Sequence, residues 1–399
     1  MAAGEKAKII IRADGNARIG AGHLMRCLTI ADEIRQKDSI CFWCADRESA
    51  DLAESRGYNT RVLETDYRNM LSELPLWEDW MSPEKPGGRE SIVSRAEKRA
   101  RRSQTSGESE RTILVDSYAV NEEYLKAIGT YGRVCLLDDM QQRAWPVDVV
   151  INYNVFAQKD IYRNLYEKQG RPADMPGLYL GPSYVPLRPQ FREREYQVRE
   201  ELQELLITTG GGDQQNIAGQ ILEKIDNGEY RIHVVSGPYN PHGDWLDEYA
   251  AKHPEVVVHR QVTEMAELMG QCDLAITAGG TTVYELCAIG VPFICFSYAE
   301  NQKALTAYAG KQGIGWDAGK YHHDPAETLN RIAELTRQAQ KELSMRQRMS
   351  LRARDLVDGQ GARRLAQVLE HAGEEENHSS EYGNPRITNR TDNSRNGQA

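Results

Sequence analysis

One histidine, His23, stands directly after Gly20-Ala21-Gly22 and directly before Leu24, Cys27, Leu28, Ala31 and Ile34, apolar residues at helical spacing. An imidazole that opens a helix feels the positive end of the helix dipole, which favours the neutral form able to accept a proton near neutral pH. A water-activating base needs that property. The same position also suits a histidine that caps or packs the helix end. Small residues at 20 to 22 let backbone amides approach a ligand. A dinucleotide fingerprint would place its third glycine where Arg26 stands, so a nicotinamide is disfavoured and no cofactor is expected.

Two more glycine turns follow downstream. The run Leu205 to Thr209 enters Gly210-Gly211-Gly212-Asp213, whose amides either cradle a phosphate or turn an ordinary strand into a helix starting near Asn216. Leu274 to Thr277 leads into Gly279-Gly280-Thr281-Thr282, with Thr281 and Thr282 placed to cap a helix whose free amides face a diphosphate. One turn in, Glu285 is placed to accept from ribose hydroxyls, and Asn301 and Gln302 offer amide side chains to the same ligand. Asp138-Asp139 closes a strand candidate and either orients His23 or caps the next segment. Asp138 is assigned to the site and Asp139 to the scaffold. Cys41 and Cys44 have redox-motif spacing but sit inside a strand pattern, which points to core packing. His322-His323 and His371 are scattered and no Asp-X-Asp pair closes a strand, so no metal is expected.

Positioning such groups requires a particular scaffold. Apolar runs alternate with helical periodicity in both halves, as in parallel sheets covered by helices on both faces. Strand candidates are Lys8 to Arg12, Ser39 to Cys44, Thr112 to Asp116, Val134 to Asp138 and Val147 to Asn152, then Glu204 to Thr209, Tyr230 to Ser236, Val256 to His259, Leu274 to Thr277 and Pro292 to Phe296. The pattern predicts two doubly wound α/β units facing a cleft, 1–192 with the histidine and 193–372 with the nucleotide turns. A polar stretch, 78–111, reads as a partly helical, mobile insertion, and 373–399 reads as a disordered tail.

Bulk properties narrow the function classes. At 399 residues and 40% hydrophobic content the chain can bury two sizeable cores. A net charge of -10 argues against nucleic acid, and with a mean hydropathy of -0.63 there is no apolar run suited to membrane insertion. No signal peptide is visible, and seven cysteines, an odd number mostly within apolar segments, fit reduced thiols in a cytoplasmic protein. Nothing singles out a protein partner.

The chain resembles the UDP-2,4-diacetamido-2,4,6-trideoxy-β-L-altropyranose hydrolases of pseudaminic acid biosynthesis, within the GT-B glycosyltransferase superfamily. The resemblance rests on Arg12-Ala-Asp14, Ile19-Gly20-Ala-Gly22-His23, Arg26, Asp116-Ser-Tyr118, Asp138-Asp139, Asn152-Tyr-Asn154, Gly181-Pro-Ser-Tyr184-Val-Pro-Leu187-Arg188 and Gly211-Gly212-Asp213, and spans roughly residues 8 to 318. It implies a GT-B fold and metal-independent, inverting hydrolysis of a UDP-sugar. His23 would activate the water, Glu285 and Gln302 would hold ribose or phosphates, and Tyr118 and Asn154 would border the sugar. Arg12, Asp14, Gly22, Arg26, Tyr184, Gly211, Gly212, Thr281, Thr282 and Asn301 complete the expected substrate site. Related proteins serve spore-coat polysaccharide synthesis, so transfer from a UDP-sugar donor to surface polysaccharide is the alternative.

Overall fold

The structure is a computed structural model and describes residues 7–16, 18–81, 111–192, 195–225, 228–237 and 239–370. The expected insertion therefore lies largely outside the described residues, apart from its start in the helix Leu74–Met81, and the expected tail lies outside them altogether.

Strands β1 (Ile9–Ala13), β2 (Ile40–Cys44), β3 (Asn59–Val62), β4 (Thr112–Asp116), β5 (Arg133–Leu137), β6 (Val149–Asn152) and β7 (Gly177–Leu180) form one sheet in the order β3-β2-β1-β4-β5-β6-β7. Strands β8 (Glu204–Thr208), β9 (Arg231–Ser236), β10 (Val256–Arg260), β11 (Leu274–Ala278), β12 (Phe293–Ser297) and β13 (Trp316–Lys320) form a second, ordered β10-β9-β8-β11-β12-β13. All pairings are parallel. The expected pair of doubly wound units is present. Strands β1, β2 and β4 are buried along their whole length, which is why they read as unbroken apolar runs.

Three strands escaped the sequence pattern: β3, β7 and β13. All three are outermost: β3 and β7 close the two edges of the first sheet, and β13 closes one edge of the second. An edge strand buries less of itself, so Asn59-Thr60-Arg61-Val62 and Trp316-Asp317-Ala318-Gly319-Lys320 need no apolar run.

Chain order reverses between β1 and β4 and again between β8 and β11. At such switch points the connections leave in opposite directions and open a crevice beyond the strand ends. All three glycine turns noted in the sequence leave these strands: Gly20-Ala21-Gly22 follows β1, Gly210 to Gly212 follows β8, and Gly279-Gly280 follows β11.

One apolar cluster runs from Ile9, Ile11 and Leu24 through Val185, Leu187 and Phe191 to Ala275, Val283 and Cys295, so the two halves share a core. The helix Gly361–Glu370, within the expected second unit, crosses back to the first sheet: Thr112 Oγ1 donates to the Leu369 carbonyl at 3.1 Å and Arg133 Nη1 to that of Val368 at 2.7 Å. Among the described residues no helix is long and apolar enough to cross a membrane. All seven cysteines are free and buried. Cys41 and Cys44 contribute to clusters on opposite faces of the first sheet, and burial pushes the Cys41 thiol up to about 11, so the redox spacing is core packing.

Arg12 and Asp14 were expected at the ligand, but the structure buries them behind β1. Arg12 has 0% exposure and donates to Glu73 Oε2 at 2.9 Å and to Asp14 Oδ2 at 2.7 Å, while Asp14 accepts from the Ala45 amide at 2.7 Å. Burial works against the guanidinium charge, but Asp14 and Glu73 outweigh it and hold Arg12 firmly protonated. These hydrogen bonds are all buried, so the group anchors the start of the loop that follows β1. Arg12→Ala strands two buried carboxylates and is expected to lower the unfolding free energy by about 3–5 kcal/mol in urea titration.

Candidate active site

The helix Gly22–Ala31 starts at the C-terminal end of β1 and puts His23 in its first turn. Asp116, the last residue of β4, pairs in register with Ala13 of β1, which brings its carboxylate beneath that helix. His23 Nδ1 lies 2.7 Å from Asp116 Oδ1. An ionised carboxylate only accepts, so the proton belongs on Nδ1, and in the neutral ring Nε2 carries the lone pair. His23 is 14% exposed on its side chain and Asp116 1%.

Arg26, one helical turn on, grips the same carboxylate: Nε donates to Asp116 Oδ2 and Nη2 to Oδ1, both at 2.5 Å. Its Nη1 donates to Tyr153 Oη at 2.6 Å and reaches Asp139 at 2.9 Å. Burial alone would raise the Asp116 carboxyl, but Arg26 and His23 more than offset it and hold Asp116 below the usual carboxylate range. His23 is thus backed by a carboxylate that stays charged. Tyr118 completes the rim: it is 65% exposed, packs edge-on to His23 with centroids 4.6 Å apart and donates to Asp139 Oδ2 at 3.1 Å.

The sequence did not single out Asp116 as the partner of His23, and of the adjacent pair it is Asp139, not Asp138, that contacts Arg26 and Tyr118. Asp138 is buried, accepts from the Met140 and Gln141 amides at 3.2 and 3.3 Å and from Tyr162 O–H at 2.8 Å, and so stiffens the turn after β5. Asp139 instead contacts Arg26 and Tyr118 beside His23. Both lie at a strand end, where only sheet order decides which faces the switch point.

The second half meets this group through the helix Thr281–Ile289. Tyr284 packs edge-on to Tyr153 with centroids 6.2 Å apart, and its hydroxyl accepts from the Val155 amide at 3.3 Å. Tyr153 in turn contacts Arg26, so one line of contacts joins the histidine's partner to the second half. The helix begins after Gly280, and no side chain caps it; Thr281 and Thr282 occupy its first turn without the capping expected of them. An uncapped first turn leaves amides and the positive dipole end available to an anion. Gly279 is required where it stands, because a Cβ there would lie 2.5 Å from the Thr306 methyl and 3.2 Å from the Gln302 carbonyl. That close approach brings Gln302 beside the glycine turn. Gln302 Oε1 accepts from the Tyr298 amide at 3.0 Å, and Asn301 is exposed.

The other phosphate candidate differs. Asp213 accepts from the Ile217 and Ala218 amides at 2.7 and 2.9 Å, so the helix Ile217–Ile225 is capped by its own chain. Gly210, with φ of 97°, needs the freedom of glycine, and Gly211 is exposed with open space where a side chain would be, while Gly212 is half-buried. The turn at 210–212 thus offers room for a ligand, and the helix behind it adds no free end.

Glu285, 16% exposed, faces Arg188 Nη2 at 3.6 Å, a partner drawn from the connection between the halves. Burial raises the Glu285 carboxyl above the usual range, with Arg188 opposing. Because protonation of this acceptor begins at a higher pH than for an ordinary glutamate, nucleotide binding that uses it weakens as pH falls. UDP titrated calorimetrically from about pH 7.5 to about pH 5 is expected to lose affinity in the wild-type chain and to show a flatter profile in Glu285→Gln. Gly22 is exposed with open space around it, and Asn154 is half-buried, its Nδ2 donating to Asn152 Oδ1 at 3.0 Å. Tyr184 packs edge-on to Tyr179 with centroids 5.5 Å apart, near the crossing helix, so its described contacts are with the scaffold. His322 and His323, expected to be scattered, converge on Glu300; His371 lies outside the described residues.

Residues 201–360 match the family description "Glycosyltransferase family 28 C-terminal domain". The chain is 27% identical to the spore coat polysaccharide biosynthesis protein SpsG of Bacillus subtilis (strain 168) over 92% of this chain and 98% of that one. It is 21% identical to the UDP-2,4-diacetamido-2,4,6-trideoxy-beta-L-altropyranose hydrolase of Campylobacter jejuni subsp. jejuni serotype O:2, over 77% of this chain and 97% of the relative. Among solved structures, MurG of Acinetobacter baumannii superposes with a TM-score of 0.57 at 12% identity, covering 91% of this chain and 99% of the other. The fold is the GT-B fold expected from the sequence, with two parallel-sheet units.

Proposed function

We propose that the chain hydrolyses a UDP-linked sugar at the anomeric C–O bond, with His23 as the base. The observation that carries this is the His23–Asp116 pair at the β1/β4 switch point, joined through Arg26, Tyr153 and Tyr284 to a helix whose N-terminus no side chain caps. The uncapped turn at Thr281 and Thr282 would take the diphosphate, Glu285 the ribose and Gln302 the neighbouring polar groups, with Tyr118 and Asn154 bordering the sugar. Water attacks C1 as His23 Nε2 takes its proton, and Asp116 stabilises the imidazolium that forms. The C1–O bond breaks and UDP leaves with the electron pair, inverting the anomeric centre. A diphosphate leaving group needs no protonation, which accounts for a site built around one base. None of the roles assigned here requires a metal ion. The diacetamido-trideoxy sugar named for the Campylobacter relative is the substrate we favour, which would release a free sugar for nonulosonic acid synthesis in the cytoplasm.

Transfer to an acceptor hydroxyl is the second reading. It is favoured by the exposed Tyr118 beside His23, an open rim against which an acceptor could rest, and by the likeness to a spore coat polysaccharide protein. The deciding experiment follows UDP-2,4-diacetamido-2,4,6-trideoxy-β-L-altropyranose by proton and phosphorus NMR in heavy-oxygen water without acceptor. Free UDP with label on the sugar C1 oxygen supports hydrolysis. Tight UDP binding without turnover rejects it in favour of transfer or of another sugar.

A further inference from the structure

The end of β12 and the end of β13 bring together three groups that the site above leaves unused. Glu300 opens the short turn Glu300–Gln302, and His322 and His323 lie between β13 and the helix Pro325–Lys341. His322 Nε2 lies 3.3 Å and His323 Nε2 3.7 Å from the same Glu300 Oε1, and one ligand atom from each residue lies within 4.8 Å of the others. A tetrahedral ion of the zinc class, with bonds near 2.1 Å, separates its ligands by about 3.4 Å, which these two distances bracket.

The tautomer of His322 adds a second observation. Its Nδ1 lies 3.2 Å from the Ser297 carbonyl, which only accepts, so a ring proton sits on Nδ1 and Nε2 is the atom that faces the carboxylate. In the neutral ring that nitrogen carries a lone pair, and either a proton or a metal ion held between it and the carboxylate satisfies both groups. A backbone carbonyl that holds the far nitrogen is also how proteins orient histidines that bind metals. Lys303 Nζ supplies positive charge to the same Glu300 oxygen and is thus a competitor for it.

We propose that Glu300, His322 and His323 bind a divalent ion of the zinc class, with its remaining position open to water, and that the ion ties the Asn301–Gln302 turn to the loop after β13. The site is separate from the reacting centre, and its occupancy does not depend on which reaction that centre performs. Exposures of 20% for His322, 58% for His323 and 74% for Glu300 make it an accessible surface site. Such a site exchanges its ion readily rather than holding it as part of the core.

Titration of the full chain with zinc chloride in a calorimeter tests this. One saturable site per chain is expected, weakened about tenfold or more by His322→Ala and by His323→Ala, and progressively lost on acidification as protons compete for the ligands. Lys303→Met is expected to tighten binding, because it removes the competing charge, and a cobalt-loaded chain should show tetrahedral d–d absorption. Thermal melting without metal checks that the variants remain folded. Zinc affinity unchanged in the double histidine variant, or the absence of a saturable site in the wild-type chain, would overturn the proposal.

Discussion

His23→Asn is expected to lower kcat by about 10²–10⁴-fold, the range that positioned general bases supply, and to leave UDP affinity unchanged. Asparagine is the informative replacement because its amide N–H can take over the donation that Nδ1 makes to Asp116. The buried carboxylate then keeps its partner and Arg26 its geometry. The loss falls on Nε2, the atom that would accept the proton from water. Steady-state turnover by phosphorus NMR and calorimetric UDP binding, run on the same preparation, separate the two quantities. Unchanged turnover would remove His23 from the chemistry, and lost UDP binding would make it a binding group.

Asp116→Asn should show a different pair of effects. A carboxamide cannot stabilise an imidazolium and can present an N–H where His23 needs an acceptor, so kcat is expected to fall by about 10²–10⁴-fold. Stability should fall as well, because Arg26 loses a bidentate carboxylate with both bonds at 2.5 Å. Asp139 and Tyr153 still hold that guanidinium, so the expected loss is about 3 kcal/mol, the low end for breaking a buried pair. The control is Asp138→Asn, which disturbs the turn after β5 and the bond from Tyr162 but touches no group of the base. Turnover measured beside urea unfolding distinguishes them. Turnover retained in Asp116→Asn and lost in Asp138→Asn would restore the roles first read from the sequence.

These pairs show where sequence and structure each carry information. His23 was legible because a glycine-rich turn between a buried strand and an amphipathic helix is a local pattern, set by residues within a few positions of one another. Thr281 and Glu285 were placed on a helix after β11 for the same reason, and both glycine turns of the second half follow strands that flank a switch point. Nine of the ten legible strands are central, where parallel strands bury both faces and read as apolar runs, while β10 is outermost yet legible from its valines; β3, β7 and β13 escape that demand as outermost strands.

Partnerships between distant residues were not legible. Asp116 stands 93 residues from His23, and no spacing rule links them; the β1–β4 pairing does. Asp138 and Asp139 are adjacent and chemically identical, so only the direction of each side chain at the end of β5 separates a turn-stiffening carboxylate from one that faces the site. Arg12 and Asp14 have polar side chains next to a ligand loop, yet Glu73, 61 residues from Arg12, draws the pair into the interior. His322 and His323 meet Glu300 only because β12 and β13 end side by side. Local periodicity and turn chemistry thus determined by themselves the α/β class, the switch-point loops and the candidate base. Charge pairing, side-chain direction and burial depend on which strands lie next to each other, and the tertiary structure alone decided those.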